Sequence, residues 1–537
     1  MRSNRLNELA LLWNGWLDAH WRRYLIAAST LSLLTFSGYA HVRPLLSDDV
    51  LAMIVMRQAS VGAIWRALEG GVQVDPPVID TAVHFAFRLF GEHWYLAEFP
   101  AIASFTLLCV CVSLLVKRHA PPVYAAAAFF FPYATLVRGW AMQVRPYAAM
   151  MGCSALALFC WDGIQRSSRK TAWRIALTLS LMAAFSTHFY SILLLFPLAC
   201  GELAKWIVHK RLDWATLFSI ALGLIPYLFW SPILINAKHL FTQNYFFPTA
   251  FKNLYDFYGN EIESLPMALF LLLLILMALL SGGLGEDAVS RNEPPAEPPR
   301  ALLAAAAGAL LLPVVGYAIG ALYTGFFVPY YHMLAVFGVV LGLPLLLAIL
   351  TGRNRTIGFC LFLALFANGL MVTARGISGF WRPQDAYPSL EDFRSRIPEP
   401  NPDIAVLSAH HFLPLYERNR LDPSNNLVYL FDTTKAAAEV GCDSLEISVA
   451  LLPGLTQARI FPFDSYRATH THWYMAVLGE VAAPLEWQFR YLQKHSSARF
   501  SWLGKAGNFD IFRVDLQPLP ALGRRTISFA PAPRQGE

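Results

Sequence analysis

Charge is scarce in this chain. Only 15% of its 537 residues are Asp, Glu, Lys or Arg, against about 25% in a typical soluble domain. Mean hydropathy is +0.43, and 56% of residues are hydrophobic. Such a composition excludes a soluble globular enzyme. Cysteine is nearly missing outside the apolar stretches. Of the seven, Cys109, Cys111, Cys153, Cys160, Cys200 and Cys360 lie within them and act as small apolar residues. Only Cys442 lies elsewhere, so no internal disulfide is available there. No CxxC or His/Cys cluster suggests a zinc site. The net charge of +6 is explained by short basic loops, and no nucleic-acid-binding patch is needed.

What is abundant is long apolar stretches. A membrane span needs roughly 20 apolar residues. Eleven stretches qualify: 24–40, 98–116, 121–137, 146–162, 172–189, 190–208, 213–235, 265–284, 301–323, 329–350 and 356–373. Lys and Arg in short loops favour the cytoplasm. Arg22-Arg23, Lys117-Arg118, Arg166/Arg169/Lys170, Lys210-Arg211 and Arg353/Arg355 all fall on one side if 24–40 runs outward. The N-terminus is then cytoplasmic, and an odd number of spans leaves the C-terminal segment outside. Gly38-Tyr39-Ala40 has small residues at signal-cleavage-like positions. The apolar stretch is long for a signal, so an uncleaved anchor is expected. The segment 285–300 reads as a flexible, Pro-rich cytoplasmic linker.

Residues 78–91 are too short for a span and carry Asp80, His84 and Arg88 on one helix face. That pattern predicts a helix lying in the interface. Residues 41–97 are therefore one external loop with interfacial helices over about 50–68 and 78–91. After residue 373 the apolar runs shorten to strand length: 404–408, 427–431, 458–463 and 509–514, with helical patterns at 411–420 and 486–495. The predicted architecture is a polytopic α-helical membrane domain, 1–373, followed by an extracytoplasmic α/β domain, 374–537.

The residues that carry chemistry cluster on the outer face. Asp48-Asp49 follows the first span. A loop carboxylate there could take a proton from an acceptor hydroxyl; a helix first turn would also favour two acids. Asp75-Pro76-Pro77 forces an extended approach to the next helix. It is either a plain turn or a third carboxylate for the same site. Arg138 and Arg145 are basic on the side where positives are disfavoured. They suit either a phosphate, held by two hydrogen bonds, or anionic lipid headgroups. His188-Phe189-Tyr190 and Tyr330-Tyr331-His332 sit at outer span ends, where belt aromatics are also common. Lys238 and Lys252 lie in the aromatic-rich loop 236–264, which could cover a lipid-facing cavity or only cap the interface.

In these motifs the chain resembles GT-C glycosyltransferases, in the branch of glycosyltransferase family 39 with protein O-mannosyltransferases and lipid A aminoarabinose transferases. The resemblance rests on Ser47-Asp48-Asp49, Asp75-Pro76-Pro77, Gln143-Val144-Arg145-Pro146-Tyr147 and His188-Phe189-Tyr190. It covers about residues 24–235. It implies a GT-C-like fold, a polyprenyl-phosphate sugar donor and direct inverting transfer of a hexosyl or pentosyl group. The acceptor would be an envelope lipid, glycan or protein at the outer face, in what would be a bacterial inner membrane.

The family's first-loop aspartate falls on Asp48 or Asp49. Asp48 is taken as base and Asp49 as orienter or metal neighbour. Substrate contacts are assigned to Asp75, Arg138, Arg145, Tyr147, His188, Tyr190, Lys238, Lys252 and His332. No cofactor is firmly implied, though a divalent cation near Asp48, Asp49 and Asp75 would suit the carboxylates. Relatives often carry His or Lys where Asp75 stands, and a carboxylate cannot bind phosphate directly. That departure shifts phosphate binding toward the arginines and lysines.

Two other classes compete. A transporter or flippase should show internal repeats and mid-membrane ionisable groups. The chain shows no clear repeat and few mid-span charges. A polymerase or ligase of lipid-linked glycans would share the architecture and differ in moving a whole chain.

Overall fold

The computed structural model describes residues 2–241, 249–262, 265–280, 299–382, 387–400, 402–442, 444–479, 486–496 and 498–516. All eleven apolar stretches contain helix. Among the described residues, eight helices are long and apolar enough to cross a membrane, and the protein is integral to one. The stretches 121–137, 172–189 and 265–284 form shorter helices. The first is α-helical over Pro122–Phe130 and then tightens into a 3-10 turn at Phe131–Ala134. Pro132 lacks the N–H that would continue the α ladder. The others span Lys170–Phe185 and Leu265–Leu280. The predicted linker 285–300 lies outside the described residues, except for Pro299 and Arg300.

Helix α1, Arg2–Val42, is kinked at His20 and carries the first span. The loop expected to be external then forms three helices: α2 (Ser47–Met56), α3 (Val61–Glu69) and α4 (Val78–Phe90). The expected single helix over 50–68 is two. Ser60 breaks it, because its side chain caps α3 by accepting from the Ala63 N–H. Helix α4 starts after Pro77, as the proline pair dictates.

The polar face of α4 turns inward. Asp80 and His84 are buried, with His84 Nδ1 3.0 Å from the Met56 carbonyl, and Arg88 donates to the Ala59 carbonyl at 2.7 Å. Phe85, Leu89 and Phe90 are exposed. A helix with its polar face on protein and its apolar face outward suits the membrane surface. Helix α5, Trp94–Lys117, follows as the next span.

The last span helix, Arg355–Ser378, leads into the C-terminal domain, called the outer domain after its expected side. This domain holds one six-stranded sheet in the order β3-β2-β1-β4-β6-β5. Its strands are β1 (Ile404–Val406), β2 (Leu427–Phe431), β3 (Arg459–Pro462), β4 (His472–Leu478), β5 (Ala498–Ala506) and β6 (Phe509–Leu516). Pairings β3-β2-β1-β4 are parallel, and β4-β6-β5 antiparallel. Strand β1 is followed by the Ala409–Arg418 helix and β2 by Thr433–Val440, the crossovers that parallel strands require.

Helices α2 and α3 do not merely lie near this domain. Val50, Leu51, Ile54, Ile64 and Leu68 share one buried cluster with Ile404, Phe412, Tyr429 and Ile511. Arg57 seals the seam. It pairs with Glu417 through both guanidinium ends and with Glu92 at 2.6 Å. The external loop and the outer domain thus share a core.

Candidate active site

The site grows from the first turn of α2. Asp49 is fully buried, and three N–H donors fill its oxygens. The Leu46 N–H donates to Oδ2 at 2.9 Å, closing the helix start, and Arg43 Nη2 donates to the same oxygen at 2.6 Å. The Val144 N–H donates to Oδ1 at 2.8 Å. Val144 precedes Arg145, so Asp49 clamps the Arg145 loop onto the start of α2. Arg43 also reaches the buried Glu98 at 3.4 Å.

The clamp fixes Asp48. Its Oδ2 lies 3.0 Å from Arg145 Nη1, and its side chain is 35% exposed. Its backbone carbonyl accepts from Gln73 Nε2 at 3.1 Å. The acid pair divides as its position in the helix demands. The third helical residue turns back to cap the start, and the second faces Arg145. Arg145 spends one N–H on Asp48, and a guanidinium has five. Its carbon lies 4.9 Å from the Tyr147 ring centre and 5.6 Å from that of Trp140. Burial pushes its pKa down, but Tyr147, Asp48, Tyr330 and Asp75 together hold it above the usual arginine value.

Asp75 closes another side. Its Oδ1 lies 3.6 Å from His188 Nε2. The Tyr190 N–H donates to His188 Nδ1 at 3.0 Å, so the imidazole hydrogen belongs on Nε2, facing Asp75. Burial raises the Asp75 pKa to about 7, with Arg145 opposing and Asp48 adding to the rise. Asp80 is also raised, by burial and then by Asp75. Near neutrality Asp75 is therefore often protonated, and a protonated carboxyl can donate a hydrogen bond.

Aromatic rings form the wall. Tyr147 lies 4.4 Å from Trp140 and 4.8 Å from His188, and Tyr190 stacks on Tyr331 at 4.0 Å. Tyr330 packs on Trp140 and Tyr147 at 5.6 Å each.

The structure thus brings together Asp48, Asp49, Asp75, Arg145, Tyr147, His188 and Tyr190. Arg138 stands half-buried in the Leu136–Met142 turn that leads to Arg145. Lys238 and Lys252 are exposed, near the end of Ile225–Phe241 and the start of Phe251–Asn260. Neither enters the contacts that define the cluster. His332 is buried beside it, with Nδ1 3.0 Å from the Val328 carbonyl and its ring stacked on Phe327. The Gly316 backbone lies so close that an added Cβ would meet His332 Nε2. Its turn carries Tyr330 and Tyr331 into the wall.

Among the described residues, no three His, Cys, Asp or Glu side chains converge to hold a metal ion. Asp49's oxygens are filled by N–H donors and Asp48 meets Arg145. This donor set offers a cation only Asp75 and what Asp48 has left.

Four participants escaped the sequence reading. Arg43 and Gln73 hold the two aspartates. Asp80 had been assigned only to a polar helix face. His410 belongs to the outer domain, and its Nδ1 lies 2.9 Å from Ser47 Oγ, beside Asp48. It follows β1, between the β1-β2 and β1-β4 pairings, where the chain changes direction across the sheet. Crevices at such switch points commonly receive ligands. No local signal marks His410; only the sheet order places it.

No family model matches the chain, and no curated protein sequence does. Among solved structures, it is similar to ArnT from Cupriavidus metallidurans bound to undecaprenyl phosphate. Identity is 14%, the TM-score 0.43, and coverage 93% of this chain and 98% of that one. It is also similar to the oligosaccharyltransferase AglB from Archaeoglobus fulgidus in complex with an inhibitory peptide and a dolichol-phosphate. There identity is 10%, the TM-score 0.43, and coverage 92% and 74%. Likeness at this level carries no argument about the site, and the functional reading rests on the residues above.

Proposed function

We propose that the protein is an inverting glycosyltransferase that moves one sugar from a polyprenyl-phosphate donor to an envelope lipid, glycan or protein. The observation that carries this reading is the Asp48–Arg145 pair, 3.0 Å apart beside the aromatic rings of Tyr147 and Trp140. Phosphate and general-base chemistry are adjacent there. Arg145 uses its remaining N–H groups on the donor phosphate. Asp48 takes the proton from the acceptor oxygen as that oxygen attacks the anomeric carbon. The bond from that carbon to the phosphate oxygen breaks, and the phosphate leaves with the electron pair.

General-base help of this kind is worth about 10²–10⁴-fold. The rest comes from alignment and from stabilising the leaving charge. Asp75, whose pKa is raised to about 7, donates to a sugar or phosphate oxygen in its protonated form. That answers the difficulty of a carboxylate in a phosphate site. Tyr147, Tyr190 and His188 bound the donor, and the acceptor enters past His410. Arg138, Lys238, Lys252 and His332 act at greater remove, toward the donor's phosphate and isoprenoid. The orientation proposed has the N-terminus in the cytoplasm, the outer domain in the periplasm and the protein in a bacterial inner membrane.

The test is release of polyprenyl phosphate from a labelled polyprenyl-phosphate sugar. Purified protein is incubated with acceptor-containing membrane extract. Label should move to one acceptor class in single residues, with inversion at the anomeric carbon. Movement of intact donor across a vesicle, with no label transferred, would instead indicate a flippase.

A further inference from the structure

We infer that the opposite end of the span bundle holds a second binding site, for a phosphate group, either of an anionic membrane lipid or free in solution. The Tyr147–Arg166 helix begins at the Asp48 site and ends at this one. Its 20 residues correspond to about 30 Å, so the two sites lie on opposite membrane faces.

The basic loop residues that set the topology do not simply reach into water here. Arg118 Nη1 meets Asp162 Oδ2 at 2.9 Å, and His119 Nε2 meets Asp162 Oδ1 at 2.8 Å. Arg166 lies 3.6 Å from the same carboxylate. Lys205 Nζ lies 2.7 Å from Glu202 Oε1 and 4.0 Å from the Trp161 ring centre. Asp162 and Glu202 are buried.

Between these groups is a cavity of about 350 Å³, within the usual range for small-ligand sites. His119, Arg166, Lys205, His209 and Arg300 line it. Of the charged residues that line it, Asp162 is the one carboxylate, against Arg166, Lys205 and Arg300. The excess is positive before either histidine is counted. An anion with several acceptor oxygens completes this balance, and arginine is suited to phosphate.

The mouth adjoins lipid-facing surface. Leu203, Trp206 and Ile207 are exposed on the helix that carries Lys205. Acyl chains would lie along them while the headgroup phosphate enters the cavity.

The test uses the full-length protein, purified and delipidated in detergent, and native mass spectrometry. Dioleoylphosphatidylglycerol is titrated in, with dioleoylglycerol, which lacks phosphate, as control. Inorganic phosphate is the third probe, read by thermal shift. The variants are R166Q/R300Q and R300Q alone, whose altered side chains are exposed enough to spare the fold, and R145Q at the other face. Phosphatidylglycerol should bind wild type and R145Q alike and bind R166Q/R300Q about tenfold or more weakly. A response to phosphatidylglycerol alone identifies the lipid headgroup as the source. An equal shift with inorganic phosphate, lost in R166Q/R300Q, identifies a soluble phosphate. Equal affinity of wild type and both glutamine variants for every probe would overturn the assignment.

Discussion

Asp48 and Asp49 are neighbours with opposite duties, and exchanging each for Asn should separate them. Asp48→Asn changes a side chain that is 35% exposed and paired with an Arg145 that is 21% exposed. The Asn oxygen can still accept from Arg145 Nη1, and the Tyr147 ring and Asp75 still face the guanidinium. Asp48→Asn should therefore fold and insert normally, yet transfer sugar about 10²–10⁴-fold more slowly.

Asp49→Asn has a different physics. Its Oδ1 can still accept from the Val144 N–H. The new amide, however, would face two donors, Arg43 Nη2 and the Leu46 N–H, where Oδ2 accepted from both. Arg43 would keep only the 3.4 Å contact with Glu98, so the cost approaches the ~3–5 kcal/mol of a broken buried pair. Asp49→Asn should lower the membrane level and the unfolding temperature, and lose activity because the start of α2, which carries Asp48, loses its Leu46 and Arg43 bonds. Tryptophan-monitored unfolding in detergent and a transfer assay on the same preparations read both effects. A stable, inactive Asp49→Asn beside an unstable Asp48→Asn would reverse the roles and refute the clamp.

Other outcomes follow from the same geometry. Asp75 has a folded pKa raised from 3.8 to about 7. Its neutral form stabilises the fold below the unfolded value, and that contribution is lost as pH rises through about 7. Wild type should lose more stability than Asp75→Asn between pH 4 and about 8; identical stability curves would contradict the shift. Arg145→Lys keeps the charge but loses the planar fork, so KM for the donor should rise by about tenfold or more, and unchanged donor kinetics would argue against phosphate contact. Glu417→Ala leaves Arg57 with Glu92 alone at the seam, and should cost about 2–3 kcal/mol and expose the outer domain to proteolysis; an unchanged digestion pattern would count against a shared core.

The membrane domain was legible because its signals are local. Apolar length and basic loops need no tertiary information, and every predicted stretch contains helix. The proline pair before α4 and the acids opening α2 also act within one turn. The break at Ser60 was missed because its cap competes with an apolar pattern that runs on at helical spacing. The edge strand β5 lacks a long apolar run, and β4 was missed for another reason. In β4, Trp473 and Met475 face one core while Tyr474 and Ala476 face the other. A strand buried on both faces shows no alternation to read. The cluster of Asp48, Asp75, Arg145 and His188 could be listed from the sequence but not ranked. Asp49's three donors come from positions 43, 46 and 144, and only folding brings them together. His410 depends on sheet order, and its part in the site could not be read from its neighbours.

The measurement that bears most directly on the central claim is mass spectrometry of envelope glycolipids and glycans from a deletion strain. The strain is complemented with wild type or with Asp48→Asn, at equal membrane levels. The account predicts that one sugar disappears from one acceptor in the deletion, returns with wild type and stays missing with Asp48→Asn. Full restoration by Asp48→Asn would contradict it, removing the carboxylate from the chemistry and favouring transport.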